Sequence, residues 1–303
     1  MNIFMTGGTG FVGSILSKEL LDRGHNLKIL TRSSKNNTEY SGKASYIKGD
    51  PSRSGRWLEQ LADSDIVINL AGASIFKRWT EKYKQTLIES RIRTTDNIVK
   101  GLAGRKKEDV LLISTSAVGY YGFHDDEKLD EGSLPGSDFL ATLAVEWEGA
   151  ANEASKSGAR VITNRFGIVL GEDGGAVSML KPLFKYRLGS RLGSGEQYFS
   201  WVHILDLVNI ILFEIENREL EGPVNCTAPN PVTNRELTSA IASAMNKPLI
   251  MPPVPRFAIK IVMGEFADAL VKGQRVIPRK LLDAGYKFNF PEIKSALEDI
   301  LDS

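Results

Sequence analysis

The chain opens on Asn2-Ile3-Phe4-Met5, a short apolar run of strand type, and passes at once into Thr6-Gly7-Gly8-Thr9-Gly10-Phe11-Val12-Gly13. Residues 14–23 then repeat apolar side chains at helical spacing (Ile15, Leu16, Leu20, Leu21) and stop at Gly24. A second strand, residues 26–30, leads into Thr31-Arg32. Strand, glycine-rich turn, helix and strand in this order confine the chain to a βαβ unit. Gly7 permits the tight exit from the strand. Gly10 has no Cβ, so a pyrophosphate can approach the backbone, and Gly13 lets the helix pack closely on the sheet. The helix N-terminus offers free N–H groups and a partial positive charge to that pyrophosphate. Gly7, Thr9, Gly10, Phe11, Val12 and Gly13 are therefore the first candidate dinucleotide-binding residues.

The end of the second strand chooses between dinucleotides. An NAD site places Asp or Glu there to hold the ribose hydroxyls, whereas an Arg accommodates a 2′-phosphate. The segment reads Leu30-Thr31-Arg32-Ser33-Ser34, with no carboxylate before Glu39. Thr31 and Arg32 thus favour NADP(H), the other reading of Arg32 being a solvated strand-end charge.

Apolar strands and amphipathic helices go on alternating as far as Gly171, the rhythm of a doubly wound parallel sheet. Residues 65–72 form a nearly all-apolar buried strand that ends in Leu70-Ala71-Gly72, small enough at its end to lie against a ribose and phosphate. The long helix expected over residues 79–103 carries Arg91 on a face with Leu87, Thr94 and Ile98. A guanidinium there needs an anionic partner, either a cofactor phosphate or a structural carboxylate. The strand at 110–114 runs into Ser114-Thr115-Ser116-Ala117-Val118-Gly119-Tyr120-Tyr121, hydroxyls at the carboxyl end of a parallel strand, where open α/β sheets bind ligands. One strand is expected over 160–171, with Gly167 against the nicotinamide and Arg165 on the same strand face. Asp206 reads as the cap of the helix it begins.

The 303 residues make one large or two modest domains. The fold expected is α/β: a Rossmann-like doubly wound parallel sheet over residues 1–171, with return segments near 199–228. A smaller, mostly helical substrate lobe covers 172–303, including a distinct region at 246–303. Net charge is +1, so no overall field draws the chain to nucleic acid or to an anionic membrane. The single cysteine, Cys226, excludes an internal disulfide, and three scattered histidines make no metal site. The first strand leaves no room for a signal peptide and no apolar run reaches spanning length, so a cytoplasmic location is expected.

Taken together, these stretches resemble the extended short-chain dehydrogenase/reductase superfamily. The matching segments are the Gly7–Gly13 turn, Asn69-Leu70-Ala71-Gly72, Ser114–Ser116 with Tyr121-Gly122, residues 165–171, and Trp201-Val202-His203-Ile204 with Asp206. Trp147-Glu148, Gly193-Ser194-Gly195, residues 225–229, residues 273–278 and Gly285-Tyr286-Lys287-Phe288 resemble its uncharacterised epimerase-family branch with a C-terminal domain of its own. The resemblance implies NADP(H) binding, a small-molecule substrate that it does not name, and a helix-pair homodimer. One departure stands out. The superfamily uses a Tyr with Lys four residues later, the ammonium lowering the phenol pKa so that it can act as a base. None of the eight tyrosines here has Lys at that spacing, and the helix where the pair belongs reads Phe139-Leu140-Ala141-Thr142-Leu143-Ala144-Val145. Two accounts stay open. Either another group, Ser116 or Tyr120 foremost, carries the chemistry within a cluster of Ser116, Tyr120, Arg165, His203 and Arg275, or the protein is a catalytically silent NADP(H)-binding regulator or scaffold.

Overall fold

The computed structural model describes residues 1–33, 43–105 and 109–301. The polar loop expected over 33–43, with Glu39, lies outside these residues apart from its two ends. Thirteen strands occur in chain order among the described residues: β1 (Asn2–Thr6), β2 (Asn26–Thr31), β3 (Ala44–Lys48), β4 (Ile66–Asn69), β5 (Leu111–Ala117), β6 (Lys128–Leu129), β7 (Arg160–Phe166), β8 (Ile168–Gly171), β9 (Tyr198–Phe199), β10 (Trp201–His203), β11 (Gly222–Cys226), β12 (Val232–Thr233) and β13 (Arg275–Val276). Seven of them form one parallel sheet in the order β11-β7-β5-β4-β1-β2-β3. Chain order reverses between β1 and β4, which opens a crevice at the carboxyl ends of these two strands, beside the glycine turn.

Helices cover both faces: α1 (Phe11–Asp22), α2 (Glu81–Ala103), α3 (Phe139–Asn152), α4 (Gly175–Lys185), α5 (Ile204–Glu216), α6 (Asn234–Ala244), α7 (Arg256–Met263), α8 (Phe266–Val271), α9 (Arg279–Asp283) and α10 (Ile293–Leu301). Successive strand side chains point to opposite faces, so Ile3 and Met5 join the core under α1 and α5 while Phe4 joins the core under α2 and α3. Burial on both sides is why these strands read as continuous apolar runs. Polar residues gather at the carboxyl ends of β1 and β4. There the Thr6 hydroxyl donates to Asn69 Oδ1 at 2.7 Å, and Asn69 Nδ2 donates to Thr95 Oγ1 at 3.1 Å.

Several boundaries depart from the sequence reading. The strand expected over 160–171 breaks at Gly167: β7 stays in the large sheet, and β8 leaves it to pair with β10. In the helical C-terminal region Gly264, at φ +64°, ends α7 before α8 begins. Thr233 caps α6 in a full capping box with Glu236. The C-terminal residues are spread over the molecule. Phe266 packs with Trp79, Leu87 and Leu143, Leu281 enters the core under α1 and α5, and α10 packs with α6.

One buried acid has a consequence for stability. Glu214, on α5, lies wholly inside, with Asn164 Nδ2 donating to it at 2.8 Å. Its other oxygen and Asn164 Oδ1 have no partner among the described residues. Burial pushes its pKa from 4.5 up to about 8. Between these values the folded chain holds a proton that the unfolded chain has released. The stabilisation is therefore complete below about pH 4.5 and is lost as pH rises towards 8. Glu214→Gln is expected to remove this slope and to gain about 5 kcal/mol over the parent at pH 9. Urea unfolding at pH 5, 7 and 9 checks it; parent stability that does not fall over this range contradicts the assignment.

Candidate functional site

The glycine turn has the shape the crevice requires. Gly7 sits at φ +71°, and a Cβ on it would lie 2.7 Å from the Leu70 carbonyl carbon. A Cβ on Gly13 would strike the Gly7 carbonyl oxygen and come within 2.7 Å of Gly8 Cα. Gly10 is different: its Cβ direction is open apart from the Gly7 oxygen at 3.2 Å. No side chain caps α1 and its first turn carries no acid, so the first N–H groups face the opening with a favourable dipole. Thr9 and Gly10 are exposed, Val12 packs against the core, and Gly72 is exposed beyond β4. The Phe11 ring is wedged against Gly171, Gly174 and Gly175, so its ring belongs to packing and only its N–H is available to a ligand. An anionic dinucleotide therefore fits this cradle.

Arg91 lies behind the Leu70-Ala71-Gly72 edge. Its guanidinium donates to the carbonyls of Ala73 (3.0 Å) and Leu87 (3.2 Å) and stacks over the Trp147 ring at 5.1 Å. Burial lowers its pKa to about 10. No carboxylate holds it among the described residues: main-chain oxygens do, and in return it braces the loop at residues 72–73. At the end of β2, Thr31 is buried, its Oγ1 accepting from Ser33 N at 3.2 Å, and Arg32 is exposed. Asp50 lies near enough to feel Arg32. Partial burial opposes the effect, but hydrogen bonds from Ser52 and the charges of Arg32 and Arg53 hold its carboxyl below the ordinary range.

The hydroxyl cluster is built by strand register. Ser116 pairs with Arg165 across β5 and β7, and Arg165 pairs with Asn225 across β7 and β11. Glu148 comes from α3. It takes Arg165 Nε and Nη2, each at 2.8 Å, and the Ser116 hydroxyl at 2.6 Å. Arg165 Nη1 donates to the Tyr121 hydroxyl at 2.8 Å, and that hydroxyl donates to Asn225 Oδ1, also at 2.8 Å. Burial pushes the Tyr121 pKa up to about 12 against the pull of Arg165, which removes it as a base near neutrality. Tyr120 is half-buried, with the Arg165 guanidinium 3.4 Å above its ring, and its hydroxyl makes no hydrogen bond among the described residues.

Of the five residues expected to cluster, Ser116, Tyr120 and Arg165 are brought together. Arg275 stacks instead over Tyr198 at 4.8 Å. His203 is buried, with Nδ1 accepting from Leu205 N and Nε2 lying 3.2 Å from Asp299 Oδ2. It borders a separate cavity of about 490 Å³ with Thr9, Gly10 and Ser14. His203, not Asp206, caps α5. Asp206 accepts the N–H groups of Asn289 and Phe290 at 2.8 Å each, so it clamps the C-terminal chain. Gly167 is buried where β7 bends into β8. A Cβ there would lie 2.9 Å from the Ser200 oxygen, so the bend alone requires glycine. Glu148 and Asn225 gained no role from the sequence. The available signal was an acid on an apolar helix face and an arginine on an apolar strand, two opposite charges that burial forces to pair. On α3 the buried positions near the missing pair are Ala141, Leu143 and Ala144, and Leu140 packs beside Gly119.

Comparison with known proteins agrees with this geometry. Residues 3–226 match the NAD dependent epimerase/dehydratase family, and residues 254–300 match a domain of unknown function, DUF1731. The chain is 39% identical to the chloroplastic epimerase family protein SDR39U1 homolog of Arabidopsis thaliana, over 99% of this chain and 87% of that one. It is 36% identical to the Bacillus subtilis epimerase family protein YfhF, over 99% and 98% of the two chains. Human epimerase family protein SDR39U1, solved with NADPH, superposes with a TM-score of 0.86 at 31% identity over the whole of both chains. The chain is a member of the NAD(P)-dependent epimerase/dehydratase family, within the extended short-chain dehydrogenase/reductase superfamily.

Proposed function

We propose that the protein binds NADP(H) and acts as an oxidoreductase or epimerase on a small polar or nucleotide-linked substrate, through a site without the Tyr-x-x-x-Lys pair. The observation that carries the cofactor choice is Arg32, a cation where an NAD site has a carboxylate. The human relative solved with NADPH supports it. The N–H groups from Gly10 to Gly13 would hold the pyrophosphate, Thr31 and Arg32 the ribose phosphate, and Leu70, Ala71 and Gly72 the adjoining sugar. When bound, NADPH supplies hydride at its nicotinamide. Tyr120 would give a proton to a substrate oxygen; what supports this role is that its hydroxyl, alone in the cluster, has no partner among the described residues. Ser116 acts as a positioning residue: it holds Glu148, which holds Arg165 over the Tyr120 ring.

A second reading, a silent NADP(H)-binding regulator, is favoured by the closed hydrogen bonding of Ser116, Glu148, Arg165, Tyr121 and Asn225. Fluorescence titration with NADPH and NADH tests the cofactor. Arg32→Asp is expected to weaken NADPH about tenfold or more and to leave NADH within about twofold. An unchanged ratio would remove the 2′-phosphate reading. NADPH that binds tightly, with no net consumption of it by any small carbonyl compound and no epimerised product from any nucleotide sugar, would leave the regulator.

A further inference from the structure

Ten of the fifteen exposed large apolar side chains among the described residues fall in two short segments, residues 174–195 and 246–264. The first holds α4, with Met179, Leu183 and Tyr186 at helical spacing on one face; Tyr186 is 70% exposed. The second holds Leu249-Ile250-Met251 and α7, where Phe257 is 69% and Ile261 70% exposed, four residues apart. Main-chain hydrogen bonds join the two: Val254 N donates to Arg191 O at 2.8 Å, and Gly193 N donates to Val254 O at 2.9 Å. The segments carry four and three lysines or arginines respectively, and neither contains an aspartate or glutamate. The net charge of +1 is therefore an average over a surface whose charge is segregated.

We propose that this face docks the protein peripherally on an anionic membrane surface. Exposed apolar side chains next to lysine and arginine, as in Arg256-Phe257 and Lys260-Ile261, are the pattern of an element that lies in a lipid interface. Each cation adds attraction to an acidic headgroup layer. A second copy of the chain is a poorer occupant, since an isologous contact would set the seven lysines and arginines of these two segments against themselves. The attachment is peripheral, because no helix among the described residues is long and apolar enough to cross a membrane.

The test is co-sedimentation of the full chain with vesicles of mixed phosphatidylglycerol and phosphatidylcholine, and with phosphatidylcholine alone. Binding is expected to the anionic vesicles and to weaken as salt rises. Two double variants, F257Q/I261Q and K185E/K260E, are each expected to lower the partition coefficient about tenfold. All four positions are exposed, and unchanged thermal unfolding verifies that the fold is kept. No sedimentation with anionic vesicles, or sedimentation that neither variant reduces, overturns the proposal. So does a dimer in light scattering that F257Q/I261Q dissolves while vesicles bind nothing, which would assign the face to a second copy.

Discussion

Glu148→Ala is expected to destabilise the fold by about 3–5 kcal/mol, a large share of the margin such a chain holds. The Arg165 and Glu148 side chains are only 3% and 9% exposed, so the variant leaves a guanidinium inside the protein without its anion. The Ser116 hydroxyl loses its acceptor in the same change. Coulomb attraction is not the main term, because forming the pair already cost the desolvation of both ions. The loss comes from the orphaned partner. Removing both charges, as in E148L/R165M, is therefore expected to recover most of the stability. Urea unfolding of the parent, the single and the double variant decides it. A single-variant loss below about 1 kcal/mol would show that Arg165 is solvated and that the closed cluster is wrongly described.

Gly13→Ala and Gly10→Ala are expected to abolish cofactor binding by different routes. The Gly13 methyl would collide with the main chain of Gly7 and Gly8, which has no rotamer to yield. A cost of about 3 kcal/mol in stability and about a hundredfold in NADPH affinity is expected. Gly10 has φ −85° and ψ −179°, which alanine adopts freely, and its Cβ would meet only the Gly7 oxygen, at 3.2 Å, a contact relieved by a shift of a few tenths of an ångström. Gly10→Ala should therefore unfold like the parent and still lose about a hundredfold in affinity, because its methyl fills the approach of the pyrophosphate. Thermal unfolding and fluorescence titration of both variants check this. Parent-like NADPH binding by Gly10→Ala would remove Gly10 from the cradle.

The features legible in the sequence are those whose physics is local. The turn from Gly7 to Gly13 joins a strand and a helix that adjoin it in the chain, so spacing alone carries its geometry. The misread residues answer to distant partners. Asp206 resembles a helix cap until Asn289 and Phe290 arrive to take its oxygens. The structural carboxylate that Arg91 could have taken is replaced by the carbonyls of Ala73 and Leu87. Gly167 ends a strand because Ile168 pairs with Trp201, a segment the local pattern does not mention.

By itself, then, the sequence determined the class of fold and the cradle for a dinucleotide, through hydrophobic period and glycine spacing. Only the tertiary structure decided that Ser116, Tyr121 and Arg165 close on Glu148 and Asn225, leaving Tyr120 with the one unbonded hydroxyl of the cluster. The physical reason is that a buried polar group must be satisfied by whatever packing sets beside it. Strand register and helix placement, not neighbours in the chain, supply those partners.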